Sequence, residues 1–341
     1  SAVFVFSVSF IVAATIDQLA NHGYQLCLNK VNMPHEDLRS GKTKMPELPE
    51  VETVRRGLEP ALVDRRVKSV QLKRPDLRFP FPQRLAEVVS GKRIIALRRR
   101  AKYILIELES GHTLLVHLGM TGRFTVWPPD GAVRNLGEFY YLEQAGHAGD
   151  GPHDHLIVDL DDGTRVVYTD PRRFGFVDLI EPGGVDSNRF LAGLGVEPLG
   201  NALHADFLAG ALAGRRSLLK AALLDQRIIA GLGNIYVCEA LYRARLSPKR
   251  LSGSIVRKRG PSPLVEPLVH AVRSIITEAI EAGGSTLRDY AHTDGSSGEF
   301  QQRFDVYDRE GKACRTQGCT SKIRRIVQSG RSSFYCPTCQ S

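Results

Sequence analysis

Two stretches carry residues whose types and spacing suit chemistry. Near the C-terminal end, Cys314, Cys319, Cys336 and Cys339 form two close pairs, with four and two residues between partners. Two such knuckles can present four thiolates tetrahedrally to one zinc ion. Four thiolates leave no open position for water, so the zinc is expected to be structural, with an iron–sulfur cluster as the minor alternative. Without a metal this small tail has too little core to fold, so metal loss should unfold it. The second stretch is Met45-Pro46-Glu47-Leu48-Pro49-Glu50-Val51-Glu52. An initiator Met before Pro is readily removed, which would leave Pro46 with a free secondary amine. An α-amino group titrates near 8 and a lysine near 10.4, so about a tenth of such amines are neutral at pH 7. A neutral amine can attack a sugar C1′ and form an iminium, as Schiff-base lysines do. Glu47 beside it can donate a proton. The same residues also read as a proline-punctuated helix start.

These groups must be held by the elements around them. Val51, Val54 and Leu58 recur at i, i+3 and i+7, which predicts a helix that starts near Pro49 and ends at Gly57 and Pro60. Seven short β-branched segments follow: Val67–Leu72, Ile94–Leu97, Tyr103–Leu108, Thr113–Leu118, Leu156–Leu160, Arg165–Tyr168 and Phe176–Ile180. They predict a β-sandwich or barrel-like domain. Trp127 to Pro152 reads as an irregular surface loop, and Glu181-Pro182-Gly183-Gly184 as a linker. Helical periodicity then covers Ala202–Leu212, Ser217–Leu224, Ile235–Arg243 and Pro263–Ala282. The glycine-punctuated turn before Asn234 makes the middle two a helix–two-turn–helix candidate. Ile323–Val327 and Ser332–Tyr335 read as a β-hairpin exposing Arg324, Arg325 and Arg331, with Phe334 and Tyr335 nearby. Arginines there can reach phosphates, or form a solvated basic loop. The expected class is α+β and multidomain. An N-terminal helix with a β-sandwich catalytic domain spans 46–180, a helix–two-turn–helix domain 185–290, and a terminal β-hairpin zinc ribbon 300–341. Residues 1–44 differ in character and read as an extension outside the functional enzyme, a cloning remnant or a mis-assigned start, with a targeting segment as the alternative.

Lys and Arg outnumber Asp and Glu by 46 to 37, a net charge of +9. That balance favours a polyanion such as nucleic acid or an acidic membrane surface, although a soluble enzyme with a solvated basic face would show it too. No apolar run reaches the roughly 20 residues that span a bilayer. The apolar stretch Ala2–Thr15 lacks the basic flank of a secretory signal. Clustered cysteines argue for a reducing compartment, and Cys27 and Cys238 read as buried thiols.

Six ordered motifs closely resemble the formamidopyrimidine-DNA glycosylase family: PELPEVET at Pro46–Thr53, RRRAKYILIEL at Arg98–Leu108, HLGMTG at His117–Gly122, YTDPRRFG at Tyr168–Gly175, LLDQRIIAGLGNIYVCEAL at Leu223–Leu241 and GRSSFYCPTCQ at Gly330–Gln340. The resemblance implies a bifunctional glycosylase and lyase that removes 8-oxoguanine and formamidopyrimidines from double-stranded DNA, then cuts the strand by β- and δ-elimination. It makes Pro46 the nucleophile and Glu47 the acid, with Lys102 assisting β-elimination and Arg331 acting near the phosphate in δ-elimination. Read alone, Lys102 is an exposed strand-end lysine. The damaged base must leave the stack, at a cost of about a few kcal/mol. Met120, Arg172 and Phe174 match the family's wedge positions and have types suited to insertion; read alone, Met120 and Phe174 suit a core. His155, Arg172, Arg216, Lys220 and Asn234 match positions that contact DNA. Asn234 opens a helix, where backbone N–H groups favour phosphate, and it is also a plain N-cap candidate. Ser285-Thr286 and the Gly298 loop resemble the segment that closes over the flipped base.

The first 44 residues depart from this pattern. With them attached, the Pro46 nitrogen is a tertiary amide and cannot attack C1′, so either translation begins at Met45 or processing exposes Pro46. Two other readings remain. One is a relative resembling endonuclease VIII that acts on oxidised pyrimidines, although that class usually has Gly where this chain has Leu48. The other is a non-catalytic lesion-binding protein with Pro46 blocked. A monomer is expected, in a bacterial-type cytoplasm and associated with the nucleoid through DNA.

Overall fold

The computed structural model describes residues 46–129, 133–136, 148–257, 262–284 and 300–341. The 1–44 extension with Cys27, most of the loop inside Trp127–Pro152, and the Ser285-Thr286 and Gly298 segment lie outside the described residues.

Helix α1 (Leu48–Leu62) opens the described chain. Its apolar stripe serves two cores at once. Leu48 packs among the C-terminal helices, while Val51, Val54 and Leu58 pack against the strands. The residues just before α1 are thereby pinned where the two cores meet. The helix does not stop at Gly57 and Pro60 as the sequence suggested, but runs on to Leu62. Gly57 is there for close packing: a Cβ on it would lie 2.5 Å from Leu136 Cδ2. Pro60 lies in the last turn, where it forfeits a single N–H bond.

Two antiparallel sheets form the sandwich. One has the order β1-β7-β8-β5-β6 and the other β2-β3-β4-β9. The strands are β1 (Val67–Leu72), β2 (Ile94–Arg100), β3 (Tyr103–Leu108), β4 (Thr113–His117), β5 (Arg123–Trp127), β6 (Arg134–Leu136), β7 (Asp154–Leu160), β8 (Arg165–Thr169) and β9 (Phe176–Ile180). A short helix, α2 (Leu85–Val89), precedes β2. Leu97, Ile104 and Ile106 of one sheet share a core with Phe124, Leu156, Val166 and Tyr168 of the other. β5, β6 and α2 were not anticipated. β6 is only three residues long and lies within the glycine-rich stretch that reads as loop.

Beyond the sheets come α3 (Ala205–Leu212), α4 (Leu219–Leu223), α5 (Asn234–Arg243) and α6 (Val265–Glu281). The turn from α4 to α5 buries Ile228, Ile229 and Leu232 in the helical core. Hairpin strands β10 (Arg324–Gln328) and β11 (Arg331–Tyr335) pair with Gln328 opposite Arg331. The intervening Ser329 and Gly330 both have positive φ, 49° and 73°, as a two-residue type I′ turn requires. Arg331 therefore opens β11 rather than lying in the turn.

Candidate active site

Glu47 is nearly fully buried, immediately after Pro46. Its backbone N–H donates to Glu50 Oε2 at 2.9 Å, so Glu50 reaches back to hold the start of α1. Glu50 Oε1 in turn accepts from the Tyr236 hydroxyl at 2.6 Å. The Glu47 carboxylate crosses to the other core, where Oε1 accepts from Ile235 N at 3.1 Å, while Oε2 makes no hydrogen bond. A Cβ on Gly233 would lie 2.1 Å from Glu47 Cδ. Glycine at that position is what leaves room for the carboxyl. Burial pushes the Glu47 pKa up to about 7, opposed by the charge of Lys102 and by N–H groups at the start of α5. That is the range in which a carboxyl can donate a proton near neutrality. A protonated amine on Pro46 would pull the value down again.

Lys102 sits in the turn between β2 and β3, where Arg100 pairs with Tyr103. Ala101 is left-handed there (φ 53°), and its N–H donates to Glu197 Oε1 at 2.6 Å. Arg99 and Arg100 also grip Glu197, at 2.8 and 2.9 Å. The turn is therefore held from the segment leading into the helices. Loss of water lowers the Lys102 pKa, Glu47 raises it, and Arg331 lowers it. Glu47, Lys102 and Arg331 thus influence one another electrostatically, although they come from three distant parts of the chain. Neighbouring His117 is driven neutral, to about 4, by burial and then by the charges of Lys102 and Arg78.

The hairpin is docked by residues of the helical part. Lys220 donates to Ser332 O at 2.8 Å and to Ser333 Oγ at 2.6 Å. Asn234 Nδ2 donates to Ser332 O at 3.0 Å. Lys220 is buried by these contacts. His155 is buried as well, with Nε2 donating to Asp170 O at 2.9 Å. Arg216 and Arg331 are exposed. Gly233 rather than Asn234 is the N-cap of α5. Met120 is half-buried, Phe174 is 44% exposed, and the Arg172 guanidinium lies 4.8 Å over its ring.

Cys314, Cys319, Cys336 and Cys339 bring their sulfur atoms within 4.8 Å of one another. The 314–339 and 319–336 separations are 3.8 and 3.7 Å. A tetrahedron of Zn–S bonds of about 2.3 Å has edges of about 3.8 Å, so the four sulfurs fit structural zinc. The N–H groups of Thr316 and Cys339 donate to Cys314 and Cys336 Sγ, which suits thiolate charge. Cys238 is buried and lies outside this set.

Glu50, Tyr236, Gly233 and Glu197 escaped the reading of the sequence. The E-x-x-E spacing of Glu47 and Glu50 was a visible capping signal. Nothing local could have linked Glu197 to Lys102.

Three family models match in order: the formamidopyrimidine-DNA glycosylase N-terminal domain over residues 45–177, that family's H2TH domain over 194–291, and a zinc finger found in FPG and IleRS over 311–341. Formamidopyrimidine-DNA glycosylase of Methylobacterium sp. (strain 4-46) is 58% identical over 297 residues, 87% of this chain and 99% of that protein. The Cereibacter sphaeroides (strain ATCC 17029) protein of the same name is 54% identical over 87% of this chain and 100% of its own length. Among solved structures, the MutM (Fpg) protein of Thermus thermophilus is 38% identical, with a TM-score of 0.69 over 86% of this chain and 98% of that one. Lactococcus lactis Fpg bound to abasic-site DNA is 29% identical, with a TM-score of 0.72 over 87% and 100%.

Proposed function

We infer the reaction from a premise the matches supply: the chain belongs to the formamidopyrimidine-DNA glycosylase family. It is a base-excision-repair enzyme, a DNA glycosylase with abasic-site lyase activity, and its ribbon cysteines hold structural zinc. The substrates are oxidised purines, 8-oxoguanine and formamidopyrimidines, in double-stranded DNA.

The residues take these roles. The Pro46 amine, once uncapped, attacks C1′ of the flipped nucleotide, and the bond to the damaged base breaks. The Glu47 carboxyl donates the proton needed as the sugar ring opens at O4′, leaving an iminium between Pro46 and C1′. Loss of a C2′ proton then expels the 3′ phosphate, assisted by Lys102, and a second elimination expels the 5′ phosphate beside Arg331. Arg216, His155 and Asn234 line the path of the DNA backbone. Lys220 acts through the hairpin it docks. Met120, Arg172 and Phe174 fill the space the base leaves. The observation that carries this reading is the buried Glu47 carboxyl, held by one oxygen at the junction of the two cores with the other oxygen unengaged.

The acting form has Pro46 at its amino end. The relatives match 297 and 296 residues of this chain over 99–100% of their own length, and the N-terminal family model begins at residue 45, which supports Met45 or a processing site as the functional start. The enzyme acts as a monomer, since a lone damaged base presents no symmetry to read, and works in the cytoplasm on the nucleoid. Among the described residues no helix is long and apolar enough to cross a membrane. The test compares duplexes carrying 8-oxoguanine with duplexes carrying an oxidised pyrimidine. Faster excision of 8-oxoguanine, with phosphates at both ends of the gap, is expected; preference for the pyrimidine would favour the endonuclease VIII-like alternative.

A further inference from the structure

Two loops carry the wedge side chains, and one buried carboxylate joins them. Met120 lies between β4 and β5, and Arg172 and Phe174 lie between β8 and β9. Asp170, fully buried, opens the second of these loops. Its Oδ1 accepts from the hydroxyl of Thr121, the residue after Met120. Its Oδ2 accepts at 2.8 Å from the N–H of Gly175, the residue after Phe174. Thr121 Oγ1 accepts in turn from Arg172 N at 3.2 Å. The loops also meet backbone to backbone. A Cβ on Gly119 would lie 2.3 Å from Gly175 N, and one on Gly175 would lie 2.7 Å from His117 O. The Asp170 carbonyl accepts from His155, which ties a residue expected at the DNA backbone into the same knot.

A buried carboxylate is tolerated only while its hydrogen bonds are made. Moving the Met120 loop away would take from Asp170 the hydroxyl of Thr121 and from Arg172 N its acceptor, leaving the carboxylate with the Gly175 N–H and the neighbouring Tyr168 hydroxyl, so the loops have a shared cost of separation. We propose that Asp170 is a positioning residue that couples the Met120 loop to the Arg172–Phe174 loop, so that the three side chains enter the duplex as one unit. This rests on the wedge reading of those three residues. A carboxylate that merely closed its own turn would affect stability without regard to Met120.

A double-mutant cycle separates the two. The full chain is mixed with an 8-oxoguanine duplex bearing 2-aminopurine beside the lesion, and the fluorescence rise reports unstacking. This needs no free Pro46 amine. Met120→Ala is expected to slow the rise at least tenfold. Thr121→Val and Asp170→Asn should each slow it at least fivefold, and each combined with Met120→Ala should be no slower than the slower single variant. Should Asp170→Asn fail to fold, Thr121→Val, which keeps side-chain size, carries the test alone. Wild-type rates in Thr121→Val, or losses that multiply with that of Met120→Ala, overturn the coupling while leaving the wedge in place. A wild-type rate in Met120→Ala overturns the wedge reading itself, and the coupling with it.

Discussion

Gly233→Ala places a methyl where the Glu47 carboxyl now lies. Gly233 has φ −122° and ψ −171°, extended backbone that alanine adopts freely, so the exchange adds no backbone strain. The new Cβ would be 2.1 Å from Glu47 Cδ and 2.4 Å from both carboxylate oxygens, well inside contact distance. The atom that must move is the far end of a side chain, so folding should be only slightly affected, below the roughly 1–3 kcal/mol of core overpacking. Catalysis should suffer much more. The carboxyl would lose its 3.1 Å bond from Ile235 N and leave the position from which it donates. General acid catalysis contributes about 10²–10⁴-fold, and a loss in that range is expected. The assay is single-turnover excision of 8-oxoguanine by a chain beginning at Pro46, alongside thermal melting. A variant that melts normally and excises at the wild-type rate would refute the placement of Glu47 as the proton donor.

Three further changes probe the remaining parts. Glu47→Gln should abolish excision yet raise stability at pH 8. The raised Glu47 pKa means that the folded state binds a proton the unfolded state has lost, so stability falls as pH rises from 4.5 to about 7. A shift of that size corresponds to at most about 3 kcal/mol, and melting curves at pH 5 and pH 8 of the chain carrying residues 1–44, where no Pro46 ammonium offsets the shift, would show the variant gaining only at the higher value. Cys336→Ala should lose the zinc, unfold the ribbon and weaken binding to damaged and undamaged duplexes alike, read by metal analysis and salt titration of affinity. Lys220→Met removes both bonds that the ammonium makes to the hairpin. It should destabilise by about 1–3 kcal/mol and slow δ-elimination more than base excision, read from the ratio of strand-end products.

The sequence announced its chemistry more plainly than its geometry. Four cysteines at ribbon spacing and the PELPE stretch could be read without a fold, because ligand number and amine chemistry are local properties. Strands such as Tyr103–Leu108 and Phe176–Ile180 were legible from their β-branched runs. Gly57 misled because it serves a close contact with Leu136, far along the chain, and Pro60 because the last turn of a helix tolerates proline. β6 was hidden because three residues carry no periodicity. Glu197 on the Arg99–Ala101 turn, Gly233 beside Glu47 and Ser332 under Lys220 were invisible for a common reason: each contact joins segments about 100 or more residues apart and is set by tertiary packing, about which local propensity says nothing.

The mechanism stands or falls on whether the reacting nitrogen belongs to Pro46. Borohydride reduction during reaction with 8-oxoguanine duplex, followed by peptide mass mapping, tests this directly in two chains, one beginning at Pro46 and one carrying residues 1–44. A DNA adduct is expected on the Pro46 nitrogen of the first chain and none on the second. An equal yield of adduct from the longer chain, or an adduct mapped to Lys102, would contradict it.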